Sequence, residues 1–211
     1  MVTLALPDDL FLHAHDESGK MLTHRSSIEI GLVGAALIQL WLSERIDLSA
    51  GLVVVRDPRP IGDALCDRTM EAVLSLNNAH APRTWVGWLN EGAQDRVRDR
   101  LVDLEVLARP ASRRLGFGKT RYQIADQAAV VTSHARTRYA VLGFERPAPA
   151  TAALCGLIAV LRLESGLYVS LPAGEVLTRL EAIGRTTPPE VREMIAAVDA
   201  ASASASVSMY R

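Results

Sequence analysis

The sequence predicts a mainly α-helical protein: a single globular helical domain around a buried central helix, with short β-hairpins. The run from Ile30 to Leu42 holds one polar side chain, Gln39, among 13 residues. A second nearly all-apolar stretch lies at 150–163, and most other segments carry apolar residues at helical spacing. The 211 residues are 49% hydrophobic, which is enough for one sizeable core.

The central helix is expected within residues 26–48, SSIEIGLVGAALIQLWLSERIDL. Its apolar run makes roughly 20 Å of helix, which is less than the roughly 30 Å of hydrocarbon in a bilayer. A helix that is apolar on every side in a soluble chain is buried on every side. We expect Ser26 or Ser27 to cap its first turn. Four small residues on its surface would let neighbouring backbones approach closely: Gly31, Gly34, Ala35 and Ala36.

The other elements follow from apolar spacing and turn residues. Two short strands are expected at 46–48 and 52–55, and Asp63 is placed to cap the helix that follows them. Besides the central helix, we expect helices at 1–12, 63–78, from Pro82, 92–107, 127–142, 150–163, 174–184 and 188–200. The predicted domain therefore spans 1–200, and residues 201–211 are expected to form a disordered tail.

Composition and charge bound the function. The net charge is −1, so no global excess of charge points to nucleic acid or to an anionic membrane. Cys66 and Cys155 both lie in apolar helical patterns. With no signal peptide visible, we expect two reduced core thiols in a cytoplasmic protein, the alternative being a disulfide or metal pair.

The sequence offers no catalytic motif. It lacks a phosphate-binding glycine loop in the required frame, a dinucleotide fingerprint and a nucleophile elbow, so no enzyme activity, catalytic residue or cofactor is expected. One group of side chains could in principle ligate a metal: His13, His15, Asp16 and Glu17. We prefer a solvated turn and expect no metal, because this alternation comes without a further placed ligand.

The most unusual local composition is at 109–121, RPASRRLGFGKTR, called the basic segment below. It holds five basic residues and no acid. With its flanks 105–108 and 122–125, it is predicted to form a β-hairpin with a basic, partly apolar tip. Either it is an ordinary solvated loop, or it is an arm for a membrane or a second subunit. The side chains proposed for such contacts are Arg113, Arg114, Leu115, Phe117, Lys119 and Arg121.

Several stretches in this order resemble the Golgi phosphoprotein 3 family. They are LPDDLFLHAHDESGK, IEIGLVGAALIQLWLSERIDL, PIGDALCDRTMEAVL with Gly62, Asp63, Leu65 and Asp67, and DRVRDRLVDLEVL before the basic segment. The resemblance covers about residues 3–200. It implies a helical domain without enzyme activity that attaches peripherally to membranes. It also implies a pocket for the phosphatidylinositol 4-phosphate headgroup, and a hairpin used in self-association or membrane insertion.

The headgroup residues of that family match this chain poorly. The aromatic residue before the central helix matches His24, and the arginine inside that helix matches Val33. Two arginines on the later helix match Glu91 and Gln94. Arg25 and Arg98 lie beside these positions or one turn away and could substitute. The candidate headgroup residues are therefore His24, Arg25, Gln94 and Arg98.

The leading function is that of a protein that binds anionic phospholipid at a membrane surface. Two other functions remain open. A winged-helix-like DNA-binding protein would use DRVRDRLVDLEVL as its recognition helix and the basic segment as its wing. The alternation of Asp and Arg and the negative net charge make nucleic acid an unlikely partner. The third possibility is a scaffold that forms homo-oligomers through the hairpin.

Overall fold

The computed structural model describes residues 4–16, 18–76, 78–108 and 123–208. The mainly α-helical fold class is confirmed. In chain order the elements are α1 (Leu6–His13), α2 (Arg25–Leu42), β1 (Ile46–Ser49), β2 (Leu52–Val55), α3 (Ala64–Ser75), α4 (Pro82–Trp88), α5 (Ala93–Asp103), α6 (Gln127–Leu142), α7 (Pro149–Val160), a short 3-10 helix (Glu164–Leu167), α8 (Ala173–Gly184) and α9 (Pro189–Ser208).

Helix α2 is the buried centre, as predicted. Of the helices that the structure describes, α2 alone is long and apolar enough for a membrane span, with 18 residues and a mean hydropathy of 1.2. Because 67% of it is buried inside the protein, α2 has the environment of a core helix. Its one polar mid-helix side chain is satisfied, since Gln39 Oε1 accepts from Leu6 N at 3.0 Å.

The predicted serine cap of α2 is wrong. The helix starts at Arg25, one residue before Ser26, and His24 occupies the capping position without a side-chain hydrogen bond to the backbone. The serines therefore lie inside the first turn, and Ser27 is buried. The hydrophobic pattern located this helix correctly but left its first residue open, because fraying and capping shift helix ends by one or two residues.

The small residues of α2 allow two neighbouring segments to approach its backbone closely. A Cβ on Gly34 would lie 2.1 Å from Val198 Cγ2 of α9, and one on Gly31 would lie 2.5 Å from Leu161 Cδ1 after α7. Helix α7 contacts α2, but α2 packs most extensively on α9, and α7 packs most extensively on α8.

The strands β1 and β2 form an antiparallel hairpin in which Ile46 pairs with Val55 and Ser49 with Leu52. After it, Asp63 caps α3 as predicted, because its Oδ1 accepts from Cys66 N at 2.8 Å. At the chain end, α9 continues to Ser208, past the predicted boundary at residue 200. Residues 201–208 of the predicted disordered tail are thus helical, and Ser202 is buried, while residues 209–211 of that prediction lie outside the described residues.

Candidate functional site

Two of the predicted headgroup residues meet where α2 and α5 begin. Arg25 is the first residue of α2, and Arg98 lies in the second turn of α5. Arg25 Nη2 donates to Asp95 Oδ2 at 2.8 Å, and Arg98 Nη1 donates to Asp95 Oδ1 at 2.5 Å. The fold therefore brings both arginines onto one carboxylate, and these three residues are called the Asp95 cluster below.

The surroundings of the Asp95 cluster are net acidic. Glu29 Oε1 accepts from Arg25 Nε at 3.1 Å, and Asp99 Oδ1 accepts from Arg98 Nη2 at 2.6 Å. Hydrogen bonding to Asp95 and then to Glu29 raises the pKa of the Arg25 guanidinium. Two cations thus face three carboxylates, so an incoming phosphate would compete with these carboxylates for both guanidinium groups.

Gln94 packs the interior instead of facing an anion. Its side chain is buried, and Nε2 lies 3.5 Å from His15 Nε2 and 3.6 Å from Met21 Sδ. His15 Nδ1 lies 2.7 Å from the Phe11 carbonyl oxygen. Because a carbonyl only accepts, Nδ1 carries the proton and Nε2 can accept from the Gln94 amide. The fourth candidate, His24, is exposed at the start of α2.

An ion network that joins α1, α3 and α5 was not predicted. Arg100 Nε lies 2.9 Å from Asp63 Oδ2 and 3.2 Å from Asp8 Oδ2, and its Nη1 donates to Gly62 O at 2.9 Å. Both carboxylates are buried. Burial raises the pKa of Asp8 to about 6, although the Ala5 N–H and Arg100 both act to lower it. The sequence shows Arg100 as an arginine on α5, but it does not show which carboxylates Arg100 contacts, because those contacts depend on tertiary packing.

The stretch PIGDALCD builds a loop, with no sign of a ligand site. Gly62 has φ +78°, a conformation that favours glycine. Asp67 Oδ1 accepts from Ile61 N at 2.8 Å, and Asp67 Oδ2 accepts from Gly62 N at 3.1 Å. These bonds, together with the Asp63 cap, place the Gly62 carbonyl where Arg100 reaches it.

The basic segment itself lies outside the described residues, with its predicted contact residues Arg113, Arg114, Leu115, Phe117, Lys119 and Arg121. Its flanks are described and they pair. Leu107 and Ile124 form an antiparallel bridge, and Ala108 N donates to the Gln123 carbonyl at 2.9 Å. The two chain ends that lead into the basic segment therefore leave the domain side by side, as the predicted hairpin requires.

A cavity of about 460 Å³ opens beside these flanks and is called the flank cavity below. Its wall includes Leu107 and Ile124 from the flanks, Phe11 from α1 and Val130 from α6. Arg138 of α6 also lines it. The cavity is thus mostly apolar, with a guanidinium in its wall.

The histidines near α1 do not converge on a common point. His13 stacks on His134 with 4.1 Å between ring centroids, whereas His15 faces Gln94. Burial lowers the pKa of His13 well below its ordinary value, so His13 is neutral at pH 7. Glu17 lies outside the described residues, and within 4–16, 18–76, 78–108 and 123–208 no three His, Cys, Asp or Glu side chains gather as metal ligands.

The two cysteines are core residues. Cys66 and Cys155 are buried and free, as the apolar patterns around them predict. Burial raises the pKa of both thiols, that of Cys155 to about 12. Each is therefore protonated and poorly nucleophilic near neutral pH.

Comparison with known families gives a match to the model for Golgi phosphoprotein 3 (GPP34) over residues 6–198. The chain belongs to the Golgi phosphoprotein 3 family. The match runs from the first residue of α1 into α9 and so covers nearly every described element. This family is not known as an enzyme family. No curated protein matches the chain.

Proposed function

We propose that the protein is a non-enzymatic peripheral membrane protein that binds anionic phospholipid headgroups. The family resemblance suggests phosphatidylinositol 4-phosphate as the headgroup. The observation that carries the proposal is the composition of the basic segment, which has five cations and no acid in a chain of net charge −1. The described flanks on its two sides are joined by the hydrogen bond from Ala108 N to the Gln123 carbonyl oxygen, which supports an arm that leaves the domain at one place.

The basic segment, more than the Asp95 cluster, accounts for attraction to an anionic surface. Each Lys or Arg near such a surface contributes about 1 kcal/mol. Arg25 and Arg98 already donate to carboxylates, and their surroundings carry a net negative charge. In this proposal Arg25 and Arg98 act after the basic segment has reached the membrane, by exchanging Asp95 for a phosphate. The leucine and phenylalanine of the basic segment would add burial in the interface.

The proposal places the protein in the cytoplasm, attached to the cytoplasmic face of a membrane. Co-sedimentation of the full chain with vesicles tests it. Vesicles of phosphatidylcholine alone are compared with vesicles that also contain phosphatidylserine or phosphatidylinositol 4-phosphate at equal total charge. We expect sedimentation with anionic vesicles, strongest with phosphatidylinositol 4-phosphate and weakened by salt. Absence of binding to every anionic vesicle at low salt would sink the proposal.

The arginines of α5 do not support the DNA-binding alternative. Arg98 donates to Asp95 and Asp99, and Arg100 lies against buried Asp8 and Asp63, so these arginines are not presented to DNA phosphates. We expect no electrophoretic shift of random duplex at low salt. A shifted band that vanishes with salt would favour the DNA-binding alternative.

Deletion of residues 112–119 separates a membrane role from a scaffold role. We expect the deletion variant to lose vesicle binding, and light scattering reports whether its mass in solution also falls. A variant that loses oligomeric mass but still sediments with anionic vesicles would make the basic segment a subunit contact and contradict its role at the membrane.

A further inference from the structure

The flank cavity has the size and lining of a small-molecule site. Its volume of about 460 Å³ falls within the range of about 300–1,000 Å³ that is typical of ligand pockets. The apolar part of the wall includes Phe11, Leu12, Leu107, Ile124 and Val130. Such a wall favours an aliphatic body, because each buried methylene contributes about 0.8 kcal/mol.

The rim of the flank cavity remains exposed and apolar. Val131 of α6 is 65% exposed, and Tyr168, after the 3-10 helix, is 55% exposed. Both residues line the cavity, and neither belongs to the hydrophobic core formed by the described residues. A molecule that extends from the cavity would cover them, so the ligand need not be wholly enclosed.

Arg138 supplies hydrogen-bond donors to the cavity. Its Nε donates to the Leu167 carbonyl at 2.6 Å, which fixes the guanidinium group. In the described part of the chain, no side chain or carbonyl accepts from its Nη1 or Nη2. Arginine forks of this kind match carboxylate and phosphate oxygens.

Asp16, the one carboxylate in the described part of the wall, is already engaged. Asp16 Oδ1 accepts from Ser18 N at 2.9 Å, from Ser18 Oγ at 2.7 Å and from Lys20 N at 3.0 Å. The hydrogen bonds within this loop, that from the Ser18 side chain first, lower the pKa of Asp16. The carboxylate of Asp16 is therefore occupied within its own loop, whereas the guanidinium of Arg138 has donors left for a head group that accepts.

We propose that the flank cavity binds a single-chain anionic amphiphile, with the aliphatic chain against the apolar wall and the anionic head on Arg138. The head is a carboxylate or a phosphate, and the chain belongs either to a free fatty acid or to a membrane lipid. This inference does not depend on the proposed headgroup function, because the described wall of the flank cavity includes no residue of the Asp95 cluster.

Calorimetric titration of the full chain with octanoate, decanoate and dodecanoate, each below its micelle concentration and without vesicles, tests the aliphatic part. Each added pair of methylenes should tighten binding about tenfold until the cavity is full. Dodecyl phosphate is the phosphate arm, and a single-chain lysophospholipid is the membrane-lipid arm. Absence of dodecanoate and dodecyl phosphate binding would overturn the inference.

Matched variants test the head contact. Arg138→Met keeps much of the aliphatic bulk and should weaken dodecanoate binding at least about tenfold, while dodecanol binding changes little. Arg146→Met, at an exposed arginine outside the cavity, should bind dodecanoate like the wild type. If Arg138→Met binds dodecanoate as tightly as the wild type does, Arg138 is not the head partner and the inference fails.

A filling variant tests the location. Val130→Trp should weaken binding of both dodecanoate and dodecanol, and Val131→Trp at the rim replaces it if Val130→Trp does not fold. Undiminished binding in the folded filling variant would overturn the inference. Dodecanoate binding without vesicle sedimentation would remove the proposed membrane function alone, and vesicle sedimentation without dodecanoate or dodecyl phosphate binding would remove this inference alone.

Discussion

Arg100 and Arg25 both lie against aspartates, but their surroundings differ. The Arg100 side chain is 21% exposed, and its partners Asp8 and Asp63 are 0% and 3% exposed. The Arg25 side chain is 53% exposed, and its partner Asp95 is 43% exposed. The first arrangement is shielded from water, whereas the second is open to water, salt and ligands.

This difference separates a structural role from an exchangeable one. A buried carboxylate that loses its cation keeps the cost of desolvation without compensation, so the partners of Arg100 are tied to it. Exposed ion pairs contribute about 0–1 kcal/mol, so Arg25 can leave Asp95 at little cost. The ion pair of Arg25 with Asp95 is therefore open to exchange, whereas the ion pairs of Arg100 with Asp8 and Asp63 are not.

The largest expected effect comes from Arg100→Met. It leaves Asp8 and Asp63 buried without their cation, and we expect a loss of about 3–5 kcal/mol in unfolding free energy at pH 8, measured by urea denaturation. The loss should be smaller at pH 5, where Asp8 can take up a proton. Arg25→Met is the exposed control, and a similar loss in both variants would contradict the comparison.

The next effect concerns the pH dependence of stability. The folded-state pKa of Asp8, about 6, lies above its ordinary value of 3.8. The Asp8 carboxyl therefore binds its proton more tightly in the folded state than in the unfolded state. The stability that this proton contributes is full below about pH 4 and is lost as the pH rises through 6. The change amounts to about 3 kcal/mol at most.

Asp8→Asn should flatten this decline, measured as urea unfolding free energy from pH 4 to 7. Some slope should remain, because burial also raises the pKa of Asp9. Equal slopes in the variant and the wild type would show that Asp8 does not titrate in this range.

Packing around α2 gives a third, smaller effect. Gly34→Ala places a methyl group 2.1 Å from Val198 Cγ2, so α2 and α9 must shift apart, and we expect a loss of about 1–3 kcal/mol. Gly87→Ala in α4 is the control, since no atom lies within 4 Å of its added Cβ. There, helix propensity predicts a gain of up to about 1 kcal/mol. Thermal unfolding of both variants checks this; destabilisation of both alike would refute the packing argument.

The smallest effect is expected at the exposed cluster. Asp95→Asn should change unfolding free energy by less than about 1 kcal/mol. Removal of one negative charge should raise affinity for anionic vesicles by about fivefold at most. A much larger rise would mean that Arg25 and Arg98, once released, form the principal headgroup site.

Local features of the fold could be predicted from the sequence. The second strand, residues 52–55, and the helix at 127–142 are found with the predicted bounds, and Asp63 caps α3. These features depend on residues within a few positions of each other. The serine cap was predicted wrongly because several neighbouring polar residues could begin α2, and tertiary contacts select among them.

The candidate site depends on contacts between distant residues. Arg25 and Asp95 are 70 positions apart, and Arg100 and Asp8 are 92 apart. The sequence identified Arg25 and Arg98 as cations but could not show that they share a carboxylate. The sequence likewise suggested Gln94 as a headgroup residue, whereas the Gln94 side chain is buried beside His15.

The central claim is that the basic segment, rather than the Asp95 cluster, carries attachment to anionic membranes. Arg113, Arg114, Lys119 and Arg121 are replaced together by glutamine, and a matched variant replaces four exposed arginines elsewhere, Arg68, Arg83, Arg146 and Arg185. In co-sedimentation with vesicles that contain phosphatidylinositol 4-phosphate, the first variant should lose about 100-fold or more in affinity, at about 1 kcal/mol per charge, and the second should stay near the wild type. Equal affinities of the two variants would contradict the claim.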